Sequence, residues 1–442
     1  MTEALTTKRI LQMWVPLALS WMLMAAEGPL LSAAMARLAN PEINLAAYGG
    51  IVWPVALIIE APIIMLLAAS TALSTDWEAY RNLRKFMTIT SIVLTGLHIL
   101  VAFTPLYYFV VVKLIGAPAE IVEPARWGLM VMVPWTWAIA YRRFQQGAMI
   151  RFGHSDAIVI GTGIRLVTDV VLVAIGLRIG ILPGVVVGAG AQALGVTAEA
   201  IYSGIRVRTV VIGKLKQVEA KEVWQWGEFA KFYIPLSLTS LLNLIWQPIG
   251  SAALSRMPMA IESLAVWPVL SGLVFIFRSP AMAFNEVVVA LLGKQYAVKK
   301  LRRVAIGMGL MTTIANLVFL ITPFSVFWLA TITGLSSGLV EIGRMGLWIA
   351  LPLPALNMLL SWFQGALVHG KKTRGIPEAV AIYLVSVSLL LAGGVMWGDM
   401  TGLFVGMGAL GLAQGAQTLW LWHKSRAVIL PMSQESAQGS YV

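Results

Sequence analysis

The stretch FQQGAMIRFGHS at residues 144–155 recurs as WFQGALVHGKKT at residues 362–373, which is 218 positions later. Two further pairs keep nearly the same spacing: VPLALS at 15–20 with IPLSLT at 234–239, and VGAGAQALGVTAE from 187 with VGMGALGLAQGAQ from 405. A unit of this size that occurs twice indicates an internal duplication. The fold is therefore expected to consist of two related halves.

Composition places the chain in a membrane. Of its 442 residues 59% are hydrophobic and 12% are charged, and the mean hydropathy is +0.82. A soluble core needs far less apolar surface. At about 20 apolar residues per span, the sequence divides into about twelve segments. We predict an all-α polytopic membrane protein whose first apolar stretch, from Ile10 to about Met35, is retained as a helix.

Each copy of the repeat holds six spans, so both copies enter the membrane from the same side, related by an axis along the membrane normal. The predicted domains are a six-helix N-terminal half at 1–205, a cytoplasmic linker at 206–228, a six-helix C-terminal half at 229–426 and a cytoplasmic tail at 427–442. The linker is the only long connection of mixed charge, and it could form an amphipathic helix on the membrane surface.

The basic residues predict the orientation. If the N-terminus is cytoplasmic, 22 of the 32 Lys and Arg residues fall on its side, among them Lys221, Lys300 and Lys371. Positive residues concentrate in cytoplasmic loops. We predict an inner-membrane protein with both termini in the cytoplasm. The net charge of +12 is explained by this bias, so no nucleic-acid partner is expected.

Charged residues within spans are functional candidates because each costs about 2.5–3.5 kcal/mol on insertion scales. Glu60 and Arg278 occupy equivalent positions of the repeat, each two residues before a proline that permits a bend. They could form a gate or a proton-sensitive pair, or a static ion pair that joins the halves.

Four other acidic residues lie within the apolar segments, one of them close to an arginine. Arg165 and Asp169 are one helical turn apart and are expected to pair. Glu27 directly precedes Gly28 and has no cation close to it in the sequence, which would suit proton coupling. Glu199 and Glu286 lie near the predicted cytoplasmic ends of their helices, where we expect contact with water.

The remaining polar candidates allow two interpretations. Arg142 and Arg143 either extend to the lipid headgroups or form an electropositive cavity wall that favours anions. Neutral residues that could hydrogen-bond a substrate, or merely pack between helices, are Gln146, Gln364, Asn243 and Gln247.

Several classes of chemistry are not supported. The chain has no cysteine, and its four histidines are too scattered for a zinc site. The segment GALVHGKK from Gly365 has Lys372 where a phosphate-binding loop has Ser or Thr, and it follows an apolar helix where a strand is required. We therefore expect no cofactor beyond a coupling proton or sodium ion. Nor are the acidic or histidine clusters of a membrane-embedded enzyme found in the loops.

LAAYGG at residues 45–50, QQGAMIRFGHSDAIVIGTGIRLVTDVVLVAIGL from Gln145 and FQGALVHGKKT from Phe363 resemble the multidrug/oligosaccharidyl-lipid/polysaccharide (MOP) exporter superfamily. Within it, the sequence looks most like the progressive ankylosis (ANK) group, beside the multidrug and toxic compound extrusion (MATE) transporters. The resemblance implies a V-shaped, outward-directed secondary transporter with a cavity lined by helices 1, 2, 7 and 8. Asp169 matches a Leu/Thr-Asp motif on helix 5, and Glu27 stands further along helix 1 than the coupling Asp of extrusion transporters.

ANK-type proteins are associated with efflux of anions, and extrusion transporters expel organic cations in exchange for protons or sodium. The intramembrane arginines favour an anion here and the five carboxylates favour a cation, so both stay open. The expected function is export of a small organic solute by a monomer in the lipid bilayer. The alternative is a flippase for a lipid-linked precursor.

Overall fold

The computed structural model describes residues 5–154, 156–218, 224–370 and 372–438. Part of the predicted linker (219–223, with Lys221), Lys371 and the last residues of the predicted tail (439–442) lie outside these ranges. Every regular element among the described residues is helical.

Twelve long helical segments follow one another in the described part of the chain. They are α1 Thr7–Met35, α2 Pro41–Leu73, α3 Trp77–Phe103, α4 Ala119–Arg151, α5 Asp156–Ile179, α6 Gly184–Gly213, α7 Trp226–Leu254, α8 Ala260–Leu291, α9 Ala297–Ile321, α10 Ser337–His369, α11 Gly375–Trp397 and α12 Gly402–Gln438. Ten of the helices in the described residues are long and apolar enough to cross a membrane, while α4 and α12 are as long but less apolar. The predicted all-α polytopic fold is confirmed.

The repeat is visible in the positions where helices break. α1 is interrupted between Ala25 and Glu27, and α7 is interrupted at the equivalent point, between Leu244 and Trp246. A short helical stretch after α3 ends at Gly116, and its counterpart after α9 ends near Gly334. These two glycines have φ values of 76° and 73°, a left-handed conformation that residues with a Cβ adopt at a cost. The duplicated sequence thus carries duplicated backbone geometry.

The described helices belong to two compact units. We call residues 30–256 with 260–268 the N-terminal unit, and residues 1–29, 257–259 and 269–442 the C-terminal unit. Their boundaries differ from those of the predicted halves, since most of α1 belongs to the C-terminal unit and α7 to the N-terminal unit. In addition, α6 continues to Gly213, within the predicted linker. The division of the sequence at 205, 228 and 426 stays a prediction.

Small residues bring the helices of the N-terminal unit close together. A Cβ on Gly49, in the LAAYGG stretch, would lie 2.5 Å from Pro268 of α8, and one on Gly147 of α4 would lie 2.5 Å from the Leu67 carbonyl oxygen of α2. Ser70 Oγ of α2 donates a hydrogen bond to the Phe144 carbonyl (2.7 Å) at the same approach. Small residues at helix contacts allow this close backbone packing.

The C-terminal unit is built around an apolar core formed by α1, α8, α9 and α10. Its largest buried side chains include Phe284 and Trp362. Trp14 of α1 donates its indole N–H to the Pro280 carbonyl of α8 (2.9 Å), which ties the two helices together just after the proline.

Candidate functional site

Two polar side chains of α4 bind one carboxylate of α6. Nη1 of Arg142 lies 2.5 Å from Oε2 of Glu199, and Nε2 of Gln146 donates to its Oε1 at 3.0 Å. Arg142 and Gln146 are one helical turn apart, so both face α6. Glu199 is 0% exposed and Arg142 is 5% exposed. The expectation that Glu199 contacts water is therefore wrong, and so is the interpretation that Arg142 extends to the headgroups, because each is buried against the other.

α5 adds a second arginine and a second carboxylate to this group. Nη1 of Arg165 lies 3.8 Å from Oε2 of Glu199. Asp169, one turn further along α5, is fully buried. Both side chains pack on Gly195 of α6, where a Cβ would collide with the Asp169 carboxylate and approach Arg165 Cγ to 3.2 Å. Arg165 and Asp169 share one face of α5, and the ion pair described for Arg165 is with Glu199 of α6.

Glu60 extends the group to α2. Its side chain is 1% exposed, and its carboxylate interacts electrostatically with the positive charges of Arg142 and Arg143. Its Oε1 has no hydrogen-bond partner among the described residues. Arg143 is partly exposed and interacts electrostatically with the carboxylates of Glu199 and Glu60. Glu60 is thus held by charge and not by hydrogen bonds at that oxygen.

We call these residues of the N-terminal unit the charge cluster: Glu60, Arg142, Arg143, Gln146, Arg165, Asp169 and Glu199. It contains three carboxylates and three guanidinium groups, so its charges balance when all are ionised. Buried charges persist when they are paired in this way, and removal of one partner leaves an uncompensated charge. A proton or a cation that binds one carboxylate would therefore change the balance of the whole group.

Arg278 of α8 has a different environment in the C-terminal unit. Its Nε and Nη2 donate to Oδ1 of Asn357 on α10, the second at 2.8 Å, and the Asn357 amide also contacts the amide of Gln414 on α12 (3.3 Å). The phenol of Tyr383 on α11 acts on it electrostatically. We call Arg278, Asn357, Tyr383 and Gln414 the Arg278 group. Glu60 and Arg278 lie in different units, and the interactions described for each are with its own unit, so the gate that they could form stays a prediction.

The other predicted site residues are not brought into either group by the contacts described. Glu27 is buried where α1 resumes after its break, and two residues later Pro29 packs on Gly272 of α8 in the C-terminal unit. Glu286 and Asn243 are exposed, and Gln364 and Gln247 are partly exposed. Their roles stay predictions.

Sequence reasoning missed several buried polar contacts of the N-terminal unit. Tyr80 of α3 donates to Oε1 of Gln145 (2.7 Å). His98 lies within 2.8 Å of Thr136 Oγ1 and 3.1 Å of the Leu129 carbonyl. His98 and Thr136 are polar residues within apolar stretches, which is the signal that could have revealed them, whereas Tyr80 lies in a stretch of mixed charge that gives no such signal. Among the described residues, no group of three His, Cys, Asp or Glu is arranged to hold a metal ion.

No family model matches this sequence, and no curated protein matches it. Several solved structures are similar to it along most of their length. An inward-facing multidrug-resistance MATE family transporter of the MOP superfamily aligns over 95% of this chain and 98% of its own, with a TM-score of 0.70 and 17% identity. The lipid II flippase MurJ in an inward closed conformation aligns over 96% and 91%, with a TM-score of 0.71 and 15% identity.

A third similar structure is a MOP superfamily transporter from Pyrococcus furiosus, described as having a binding pocket of reversed polarity. It aligns over 96% of this chain and 99% of its own, with a TM-score of 0.62 and 16% identity. All three span nearly the whole sequence, so the agreement covers both halves. The chain has the fold of the MOP superfamily transporters.

Proposed function

We propose that this chain is a gradient-driven secondary transporter that exports a small organic solute by alternating access, and that it is not an enzyme. The charge cluster of the N-terminal unit is the observation that carries the proposal. Ionisable residues buried within membrane helices are costly and mark ion pathways and proton relays. A cluster of balanced charge is well suited to coupling because a single bound proton or sodium ion changes its net charge.

The test is a reconstitution of the purified protein in liposomes. Counterflow of citrate, nucleotides and cationic dyes is measured with and without a proton gradient, and again with a sodium gradient. We expect flux of one solute class that accelerates when one of the two gradients is imposed. Solute flux that ignores both gradients would contradict the coupling, and absence of flux for every solute class would contradict export.

A second candidate is a flippase for a lipid-linked precursor, favoured by the similarity to the structure of the lipid II flippase MurJ. The same liposomes distinguish it. Scrambling of a labelled polyprenyl-linked lipid without flux of any soluble compound would favour the flippase.

We also propose an inner-membrane protein with both termini in the cytoplasm, which acts as a monomer. The chain has no natural cysteine, so a single Lys300→Cys variant carries one thiol. In sealed cells we expect a membrane-impermeant maleimide to leave this thiol unlabelled, whereas Lys113→Cys, on the opposite side, is labelled. The reverse pattern would contradict the topology.

A further inference from the structure

The Arg278 group holds a positive charge that no carboxylate among the described residues balances. Arg278 lies within α8 and forms no ion pair among the described residues. Among the described ionisable groups only the phenol of Tyr383 acts on Arg278, and the hydrogen-bond acceptor of Arg278 is the neutral amide of Asn357. A charged side chain within a membrane helix is ordinarily paired or functional. The missing negative charge is therefore the feature to explain.

The same positions of the N-terminal half are charged differently. By the repeat, Arg278 corresponds to Glu60 and Tyr383 corresponds to Arg165, while Gln417 stands where Glu199 does. The equivalent helices thus surround their cation with carboxylates in one half and with neutral polar groups in the other. The scaffold does not require an uncompensated arginine, since its other copy balances its arginines.

Arg278 keeps hydrogen-bond donors that no described residue uses. A guanidinium group has five N–H donors in a planar fork. Asn357 accepts from Nε and Nη2, and no described residue accepts from Nη1. Arg278 and Tyr383 are partly exposed, whereas Asn357 and Gln414 are buried, with 6% and 3% of their surface exposed. Free donors on a partly exposed side chain that a buried amide holds in place are suited to a planar or tetrahedral oxyanion.

We propose that the Arg278 group is a binding site for an oxyanion, a carboxylate or phosphate group of the transported compound. Arg278 supplies the charge, Asn357 orients the guanidinium and is itself contacted by Gln414, and the Tyr383 hydroxyl donates to a second oxygen of the ligand. As a substrate site it rests on the proposed export function, whereas the binding itself does not.

The test is equilibrium binding by calorimetry to the full-length protein in detergent, where no transport occurs. The probes are citrate, adenosine diphosphate, a polyprenyl diphosphate and, as the oppositely charged control, ethidium. We expect wild-type protein to bind an oxyanion probe and Arg278→Gln to weaken it at least about tenfold, because the lost hydrogen bonds are charge-assisted. Binding of citrate or adenosine diphosphate would indicate a soluble ligand, and binding of the polyprenyl diphosphate alone a lipid-linked one.

Two further variants keep the test independent of folding. Asn357→Asp places a carboxylate on Arg278, so it should abolish oxyanion binding while it preserves or raises the melting temperature. Arg374→Gln removes an arginine that is 95% exposed in the same unit and should change nothing.

The proposal is overturned if no oxyanion probe binds the wild-type protein, or if Arg278→Gln and Asn357→Asp bind as the wild type does. The binding site and the proposed function can fail separately. If binding depends on Arg278 but the liposomes show neither solute flux nor lipid scrambling, the oxyanion site is supported and the proposed function is contradicted.

Discussion

The charge cluster and the Arg278 group share two equivalent positions of the duplicated sequence, Glu60 with Arg278 and Arg165 with Tyr383, and their intramembrane charges are compensated differently. In the N-terminal unit, Glu199 is shared by Arg142 and Arg165, and Glu60 and Asp169 bring the carboxylates of the charge cluster to the same number as its arginines. In the C-terminal unit, Arg278 is held by the amide of Asn357 and lacks an ion pair among the described residues. A repeated scaffold has thus kept its backbone geometry and diverged in its charges. In the function proposed above, the N-terminal unit would exchange the coupling ion and the C-terminal unit would contact an anionic solute.

The largest expected effect tests the central carboxylate of the charge cluster. Glu199→Leu leaves Arg142 and Arg165 buried without the oxygen that they share, and the loss of one partner of a buried ion pair costs about 3–5 kcal/mol. We expect the free energy of unfolding, measured by SDS titration in detergent micelles, to fall by this amount. The matched control is Gln417→Leu at the equivalent position, which should change it little. Equal losses for both variants would contradict the comparison.

The next effect tests the packing beneath the cluster. Gly195→Ala directs a methyl group at the Asp169 carboxylate, and overpacking of this kind costs about 1–3 kcal/mol. The other half carries Ala413 at the equivalent position, so the C-terminal unit already accommodates a Cβ there. Ala413→Gly should cost only about 1 kcal/mol, the ordinary difference in helix propensity. The same SDS titration measures both, and a neutral Gly195→Ala would show that the cluster is loosely packed.

A functional prediction separates the two groups by their response to pH. Glu60→Gln removes a carboxylate that interacts electrostatically with Arg142 and Arg143. We therefore expect the variant to lower gradient-driven transport about tenfold, which is within the usual range of coupling free energies. The pH profile of transport should shift as well. Arg278→Gln should lower flux and leave the shape of the pH profile unchanged. If both variants transport normally at every pH, neither the coupling role nor the gate formed by Glu60 and Arg278 is correct.

The smallest effect concerns the connection between α2 and α7 in the N-terminal unit. The Tyr233 hydroxyl donates to the Pro62 carbonyl (2.6 Å), close to the point where α2 breaks at Met65. Tyr233→Phe should cost about 0.6 kcal/mol, the average for such bonds in membrane proteins. The measurement is again the SDS titration, with Ser237→Ala, whose bond to the same oxygen is longer (3.2 Å), as a milder control. A loss as large as that of Glu199→Leu would make this bond, and not the charge cluster, the main polar contact of the unit.

The helices and the duplication could be predicted from the sequence because both produce local sequence patterns. Apolar runs of spanning length mark the helices, and the recurrence of FQQGAMIRFGHS as WFQGALVHGKKT marks the repeat. The sequence also predicted which residues carry unusual charge, since an arginine or carboxylate within an apolar run is visible without any structure. The shared face of Arg165 and Asp169 followed from helical periodicity alone.

What only the tertiary structure decided is the partner of each charge. Glu199 was expected in water because its place along α6 was known but the rotation of α6 against α4 and α5 was not. Its burial under Arg142 depends on that rotation, which is set by close packing at positions such as Gly195. The same holds for Asn357 and Gln414, which are far from Arg278 in sequence. The local sequence determines the position of a residue along its helix, and the lateral packing of the helices determines which side chains it contacts.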